Sequence, residues 1–207
     1  MITRISPLHL ALFAAIALVF AWSGWEPYDR LTWWLETIPG LIGAAILIAT
    51  YTRFRFTTLC YKLIALHIIL LGVGRHYTYA RVPLFEWLRP LFGWQRNHYD
   101  RLGHFAQGFV PALVARELFI RRGVIQSRGW RFAIVLLVCL GISALYELIE
   151  WRTALASRSA ANEFLATQGD VWDTQEDMCV ALIGASCALL FATRWQDAQM
   201  GKLLRVA

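Results

Sequence analysis

The chain has 207 residues, of which 58% are hydrophobic and 16% charged, whereas roughly a quarter of the residues in a soluble domain are charged. This balance excludes a soluble globular domain, and the composition equally excludes a disordered, collagen-like or coiled-coil chain. In such an apolar chain the formal net charge of +6 is explained by basic loop residues that set membrane topology, so we expect no nucleic-acid partner.

A membrane-crossing helix needs about 20 mostly apolar residues. Three runs in the first half of the chain reach this length, and three later runs reach it only when charged residues at one end are included. The six predicted spans are 5–25, 33–52, 56–75, 101–120, 132–151 and 174–193. The sequence therefore predicts an all-α membrane protein, a polytopic bundle of six transmembrane helices that forms a single integral-membrane domain over residues 1–207.

Basic residues are distributed unequally between the two sides of this bundle. Six crossings place both termini and the second and fourth connecting loops on one side, which carries twelve of the 20 lysine and arginine residues. Four of them lie close together: Arg121, Arg122, Arg128 and Arg131. Because basic residues concentrate in cytoplasmic loops, the sequence predicts a multi-pass protein with both termini in the cytoplasm.

Two further segments lie between the predicted spans on the outer side. Pro83 to Trp94 mixes apolar side chains with Glu86 and Arg89, which predicts an interfacial segment in the headgroup zone, bent at Pro90. Two roles stay open for it, a lid or an anchoring loop without a gating role. Thr153 to Trp172 is polar and rich in small residues, and we expect a short helix and a loop over the outer mouth of the bundle.

Each of the last three predicted spans carries a pair of polar residues at helical spacing, so that each pair lies on one helical face. The pairs are Asp100 and His104, Glu147 and Glu150, and Asp173 and Asp177. Counting residues along the helices places His104, Glu147 and Asp177 at one depth near the outer boundary. Ionisable groups inside a bilayer cost several kcal/mol each unless they are paired in the protein interior. We therefore expect a shared polar cavity in which these three side chains lie within bridging distance.

Carboxylates and an imidazole that converge from several helices are typical ligands of a divalent metal ion. The candidate ligands are Asp100, His104, Glu147, Asp173 and Asp177, and Glu150 is the candidate general base. At headgroup depth such a site suggests hydrolysis or transfer on a lipid headgroup or a lipid-linked substrate, with a metal-bound water as the nucleophile. Membrane lipid is the one partner that the sequence indicates.

Two alternatives stay open, and with them the question whether the protein is an enzyme. In the first, Arg75, Arg101 and Arg152 neutralise the acids in an ion-pair network, and the protein has a structural or partner-binding role without catalysis. In the second, the same groups form a path for protons or cations. A transport path needs polar residues that continue toward the cytoplasm, whereas the last three spans are almost wholly apolar below the cluster.

Four runs of the sequence resemble the YjdF family of bacterial inner-membrane proteins. These runs are NHYDRLGH at 97–104, VPALVARE at 110–117, YELIEW at 146–151 and TQGDVWDTQ at 167–175. The resemblance implies a helical protein of the bacterial inner (plasma) membrane, and the cluster then faces the periplasm. It implies no catalytic residue, so the roles given above come from spacing and depth alone.

Overall fold

The computed structural model describes residues 5–157 and 167–206, and all regular structure in these ranges is helical. The helices are α1 Pro7–Gly24, α2 Arg30–Thr50, α3 Thr58–Tyr77, α4 Pro83–Phe92, α5 Tyr99–Arg121, α6 Arg128–Ser157, α7 Asp173–Cys187 and α8 Thr193–Val206. A π-helical segment, Ala188–Ala192, joins α7 to α8, so the chain continues as one long helix. The predicted all-α class is confirmed.

Five helices in the described ranges are long and apolar enough to cross a membrane, namely α1, α2, α3, α6 and the continuous α7–α8 helix. The remaining long helix, α5, has 23 residues, which is long enough to span, but it carries charged residues near both ends. It packs against α3, α6 and α7. A helix enclosed by other helices does not need an apolar surface all round.

The long helices alternate in direction, and their contacts define two ends of the bundle. At one end His9, near the start of α1, contacts the Tyr51 hydroxyl just after α2 at 2.8 Å. At the same end Glu117, near the end of α5, accepts a hydrogen bond from Thr57 just before α3. We call this the Glu117 end. The starts of α5 and α7 meet at the opposite end, which we call the His104 end.

Helix α4 is short and is attached at the His104 end. The buried Asn97 amide donates to the Val82 carbonyl (3.1 Å) and to the Glu86 carboxylate (2.9 Å), which ties α4 to the start of α5. The helix continues through Pro90 to Phe92, so the predicted bend does not end it. Its large exposed side chains are Leu84, Trp87, Leu91 and Phe92. This apolar surface suits an interfacial segment, and its location in the headgroup zone stays a prediction.

The segment Thr153 to Trp172 lies partly outside the described residues. Helix α6 continues to Ser157, which is longer than the predicted span. Residues 167–172 form turns without a helix before α7 begins. The predicted short helix and loop fall mainly on residues 158–166, which lie outside the described ranges.

Helices α5 and α7 are in backbone contact. A Cβ atom added to Gly108 would collide with the backbone carbonyl of Ala181, and one added to Gly184 would collide with the backbone carbonyl of Phe105. Ala112, like other small residues of this contact, has no exposed surface. Small residues let membrane helices approach closely and gain van der Waals contact. The contact brings the polar residues of α5 and α7 together one to two turns nearer the His104 end.

We expect Gly184→Ala to lower the free energy of unfolding by roughly 1–3 kcal/mol, because the added methyl group must push the two backbones apart. The matched control is Gly141→Ala in α6, where nothing lies within 4 Å of the added atom. It should be neutral or slightly stabilising, since alanine favours a helix over glycine. Thermal unfolding of the purified protein in detergent measures both. Equal unfolding temperatures would contradict the close contact.

Candidate metal centre

The imidazole of His104 lies at the centre of a buried cluster of carboxylates. Its Nε2 atom is 3.7 Å from Asp100 Oδ1, 3.6 Å from Glu147 Oε1 and 3.8 Å from Asp177 Oδ2. These distances are longer than a hydrogen bond. His104 is 5% exposed, Glu147 7% and Asp177 2%, so bulk solvent has little access to these side chains. Three acidic side chains thus face one nitrogen atom without bonding to it.

Three helices position this cluster. Asp100 and His104 lie four residues apart on α5 and therefore share one face, while α6 supplies Glu147 and α7 supplies Asp177. One ligand atom each of Asp100, His104 and Asp177 lies within 4.8 Å of the other two. Bonds of about 2.0–2.2 Å from one cation to nitrogen and oxygen ligands place those ligands about 3–4 Å apart. The spacing of the three side chains fits a single bound cation after small side-chain adjustments.

Two buried atoms of the cluster have no hydrogen-bond partner. They are Oε1 of Glu147 and Nδ1 of His104. A buried polar atom without a partner costs roughly 1–3 kcal/mol, and native proteins contain few of them. The Glu147 oxygen, which faces the imidazole at 3.6 Å, is therefore an acceptor that a cation or a bound water would satisfy.

A layer of ion pairs covers the cluster. The Arg101 guanidinium donates to Oδ1 of Asp177 and to Glu176, the latter at 2.7 Å, and it lies 2.9 Å from Asp173. Arg96 contacts the same Asp173 oxygen at 2.5 Å. Asp177 therefore joins the two layers, since one of its oxygens binds Arg101 and the other faces His104. Asp173 is paired with two arginines and does not belong to the group of converging ligand atoms.

The loop before α7 is held against the loop before α5. The Gln168 side chain accepts from the Asn97 backbone N–H at 2.8 Å and donates to the Asn97 carbonyl at 3.0 Å. Asp170 lies in the same loop, and the Trp172 backbone N–H together with Arg96 lowers the pKa of Asp170. Its carboxylate therefore stays ionised at neutral pH, and it contacts Arg96 at 3.0 Å.

Glu36 extends the cluster to α2. It is 7% exposed and accepts a hydrogen bond of 2.5 Å from the Tyr146 hydroxyl. Glu150, the candidate base, is partly buried and interacts electrostatically with Glu36 and Asp100. It therefore belongs to the same acidic region, although it is not one of the converging ligand atoms.

Of the three arginines expected to neutralise the acids, Arg101 is the one that forms ion pairs with carboxylates in the described residues. The Arg75 guanidinium donates to the backbone carbonyl of Glu36 (3.3 Å) and to the Thr37 hydroxyl (3.1 Å), not to a carboxylate. Arg152 is exposed and lies over the Trp151 ring, 5.9 Å from its centroid. The acids around His104 consequently outnumber the cations that contact them.

Comparison with known proteins identifies the family. A family model described as "Predicted membrane protein (DUF2238)" matches residues 8–198. The chain is also 45% identical over 201 residues to Inner membrane protein YjdF of Escherichia coli (strain K12), which covers 97% of this chain and 96% of that protein. The chain belongs to this family. The resemblance to the YjdF family drawn from four sequence runs is confirmed. No solved structure matches the chain.

Sequence reasoning missed several residues that organise the cluster in this family member. Arg96, Asn97, Gln168 and Asp170 link the two loops, and Tyr146 binds Glu36. Helical spacing could not reveal the loop residues, because they lie outside the predicted helices. The signal available was their position within or next to the runs that resemble the family.

We expect Arg101→Gln to lower the free energy of unfolding by roughly 3–5 kcal/mol, because Asp173 and Asp177 lose a buried cationic partner. The control is Arg152→Gln, which removes an exposed guanidinium near the same end and should change it by less than about 0.5 kcal/mol. Thermal unfolding in detergent compares the two variants. If both unfold at the same temperature as the unchanged protein, Arg101 does not hold the acidic layer together.

Proposed function

We propose that the protein is an inner-membrane protein whose carboxylate and histidine cluster binds a divalent metal ion and acts on a lipid headgroup or a lipid-linked substrate. The observation that carries the proposal is the convergence of Asp100, His104 and Asp177, whose ligand atoms lie within 4.8 Å of one another. The unpaired Oε1 of Glu147 beside them adds to it. The inner membrane is inferred from the name of the 45% identical relative.

The two ends of the bundle offer an internal comparison for buried carboxylates. Glu117 has no exposed surface, and it accepts from the Thr57 backbone N–H (2.8 Å), the Thr57 hydroxyl (2.7 Å) and Arg121 (2.8 Å). This is how a purely structural buried acid is stabilised. Oε1 of Glu147 has no such donor, and Asp177 uses only one of its oxygens to bind Arg101, which favours a role that keeps the oxygens facing His104 available.

The types of ligand atom indicate which metal ions the cluster would bind and whether the site would be catalytic. Two carboxylates and one imidazole are a mixed oxygen and nitrogen set, which suits zinc or manganese. Three protein ligands leave coordination positions for water and substrate, as in catalytic sites. A bound divalent ion would polarise a phosphoryl or carbonyl oxygen and lower the pKa of a bound water.

The side chains of this chain have separate roles in the proposal. Asp100, His104 and Asp177 are the ligands, and Glu147 completes the set or binds the attacking water. Arg101 fixes Asp177 through its other oxygen, which is the way that outer residues orient metal ligands. Glu150 is the general base. Asp173 supports Arg96 and Arg101, so we assign it a positioning role instead of the ligand role expected from spacing.

The proposal includes a membrane arrangement with six spans. Helix α5 is added to the five apolar helices as a further span, which is supported by its packing against α3, α6 and α7 and by the ion pairs of Arg101 and Arg121 with acids inside the protein. The His104 end faces the periplasm if the basic Glu117 end is cytoplasmic. Trp87 and Trp172 are exposed at the His104 end, and tryptophan is typical of the headgroup region. We therefore place the His104 end at the depth of the lipid headgroups.

A path for protons or cations is the second candidate, and one observation favours it. Gln107 Oε1, Ser143 Oγ and His67 Nε2 are buried without hydrogen-bond partners. Gln107 and Ser143 lie one helical turn beyond His104 and Glu147 toward the Glu117 end. If this candidate is correct, Ser143→Ala should reduce proton uptake by protein reconstituted in vesicles and leave metal content unchanged.

Elemental analysis of protein purified without chelator tests the metal proposal. We expect about one equivalent of divalent metal, and Asp177→Ala and His104→Ala should each remove nearly all of it, because few ligands hold the ion. Glu150→Gln should retain the metal and lose activity, since it removes a base instead of a ligand.

The matched control for these variants is Glu176→Gln, which changes an acid on the same helix whose side chain is 53% exposed and should retain the metal. Less than about a tenth of an equivalent in the unchanged protein, the level of adventitious binding, would refute the metal site. If Asp177→Asn and Asp173→Asn then also lower the thermal stability, because Arg101 is left without a buried acidic partner, the cluster is an ion-pair network with a structural role.

Reporter fusions test the orientation. A phosphatase that is active only in the periplasm should be inactive when fused after Arg205 and active when inserted at Gly169, because the basic Glu117 end is expected in the cytoplasm. Activity of the fusion after Arg205 would reverse the orientation and move the proposed substrate to the inner leaflet.

A further inference from the structure

A cavity of about 520 Å³ opens at the Glu117 end, far along the helices from the carboxylate cluster. It lies between α5, α6 and the continuous α7–α8 helix. Four arginines line it, together with apolar side chains such as Phe132 and Leu189. The arginines are Arg116, Arg128, Arg131 and Arg194. The cavity therefore combines a strongly basic wall with an apolar one.

Two of these arginines are held in place by the protein. Arg116 donates to Gln196 and to Asp197, both at 2.7 Å. Arg131 donates to the carbonyls of Ile125 and Gln126 at 2.8 and 3.2 Å. These bonds fix the direction of both guanidinium groups. Only the bond to Asp197 brings a negative charge, so the cavity keeps an excess of positive charge.

The other two arginines are available to a ligand. Arg128 and Arg194 are exposed, and neither forms a salt bridge with an acidic side chain in the part of the chain that the structure describes. Arg131 also interacts electrostatically with Arg116 and Arg128, and these like charges repel each other. An anion placed between them would remove this repulsion and gain charge-assisted hydrogen bonds.

The chemistry of the lining indicates which anion fits. Guanidinium groups bind the oxygens of phosphate in pairs, and four of them around one cavity exceed what a single carboxylate needs. Leu189 is 8% exposed and lines the cavity together with Phe132, which suits hydrocarbon next to a phosphate. Basic pockets between membrane helices are known to take the headgroups of anionic lipids.

We propose that this cavity binds a phosphate-bearing anion, supplied by the headgroup of an anionic phospholipid or by free phosphate. The site is separate from the carboxylate cluster and uses none of its residues. It does not depend on whether the cluster binds metal, nor on which end of the bundle faces the cytoplasm. An anionic lipid seated there would contact α5, α6 and α8 at once and hold their ends together.

The test uses the double variant R128Q/R194Q of the full-length protein. These two side chains are exposed and form no ion pair with another side chain in the described ranges, so the variant should unfold at the same temperature as the unchanged protein. The control is R53Q/K62Q, which removes two positive charges from exposed residues at the same end that do not line the cavity.

Native mass spectrometry measures binding of phosphatidylglycerol against phosphatidylcholine, and calorimetry measures binding of inorganic phosphate. We expect a preference for phosphatidylglycerol that falls roughly 25-fold in R128Q/R194Q, since each arginine contributes about fivefold, and that persists in the control. Phosphate binding that is lost in the same variant supports the site with free phosphate as the source. If the unchanged protein binds neither probe selectively, or if variant and control weaken equally, the proposal is overturned.

Discussion

The backbone contact between α5 and α7 is the constraint on which the rest of the structure depends. Gly108 and Gly184 leave no room for a side chain between the two helices, so their relative position is set by backbone atoms, which cannot adjust as side chains do. This contact determines how far His104 on α5 lies from Asp177 on α7. The geometry of the candidate metal centre therefore depends on two residues that take no part in its chemistry.

The hydrogen bonding of the buried acids differs between the two ends of the bundle. Glu117 is surrounded by donors, and Gln196 donates to the Leu113 carbonyl beside it at 2.6 Å, so this end is closed by completed hydrogen bonds. At the other end Nε2 of His104 lies 3.6–3.8 Å from one oxygen each of Asp100, Glu147 and Asp177, which is too long for a hydrogen bond. Incomplete bonding of buried acids costs stability, and such a cost is usually associated with a functional site.

Asp177 joins the ion-pair layer to the candidate metal centre, because one of its oxygens binds Arg101 and the other faces His104. The Arg101 guanidinium also reaches Asp173 and Glu176. Above this layer the Gln168 side chain holds the two loops together, because it accepts from the Asn97 backbone N–H and donates to the Asn97 backbone carbonyl. A substitution that separates the two loops would therefore displace Arg101 and, through it, the Asp177 carboxylate of the cluster. The basic cavity at the Glu117 end shares no residue with these contacts. It is the second site that we propose, for a phosphate-bearing anion.

The sequence by itself determined the all-α membrane class, the approximate extent of the long helices and the polar faces of α5, α6 and α7, because these follow from hydropathy and from the 3.6-residue helical period. Depth counted along the helices also grouped His104 with Glu147 and Asp177. Only the tertiary structure decided that Asp100 joins His104 and Asp177 as a converging group, and that Asp173, which spacing also offered as a ligand, pairs with Arg96 and Arg101 instead. Such a choice depends on the rotation and the distance of helices that are far apart in the chain, and a periodic pattern holds no information on either.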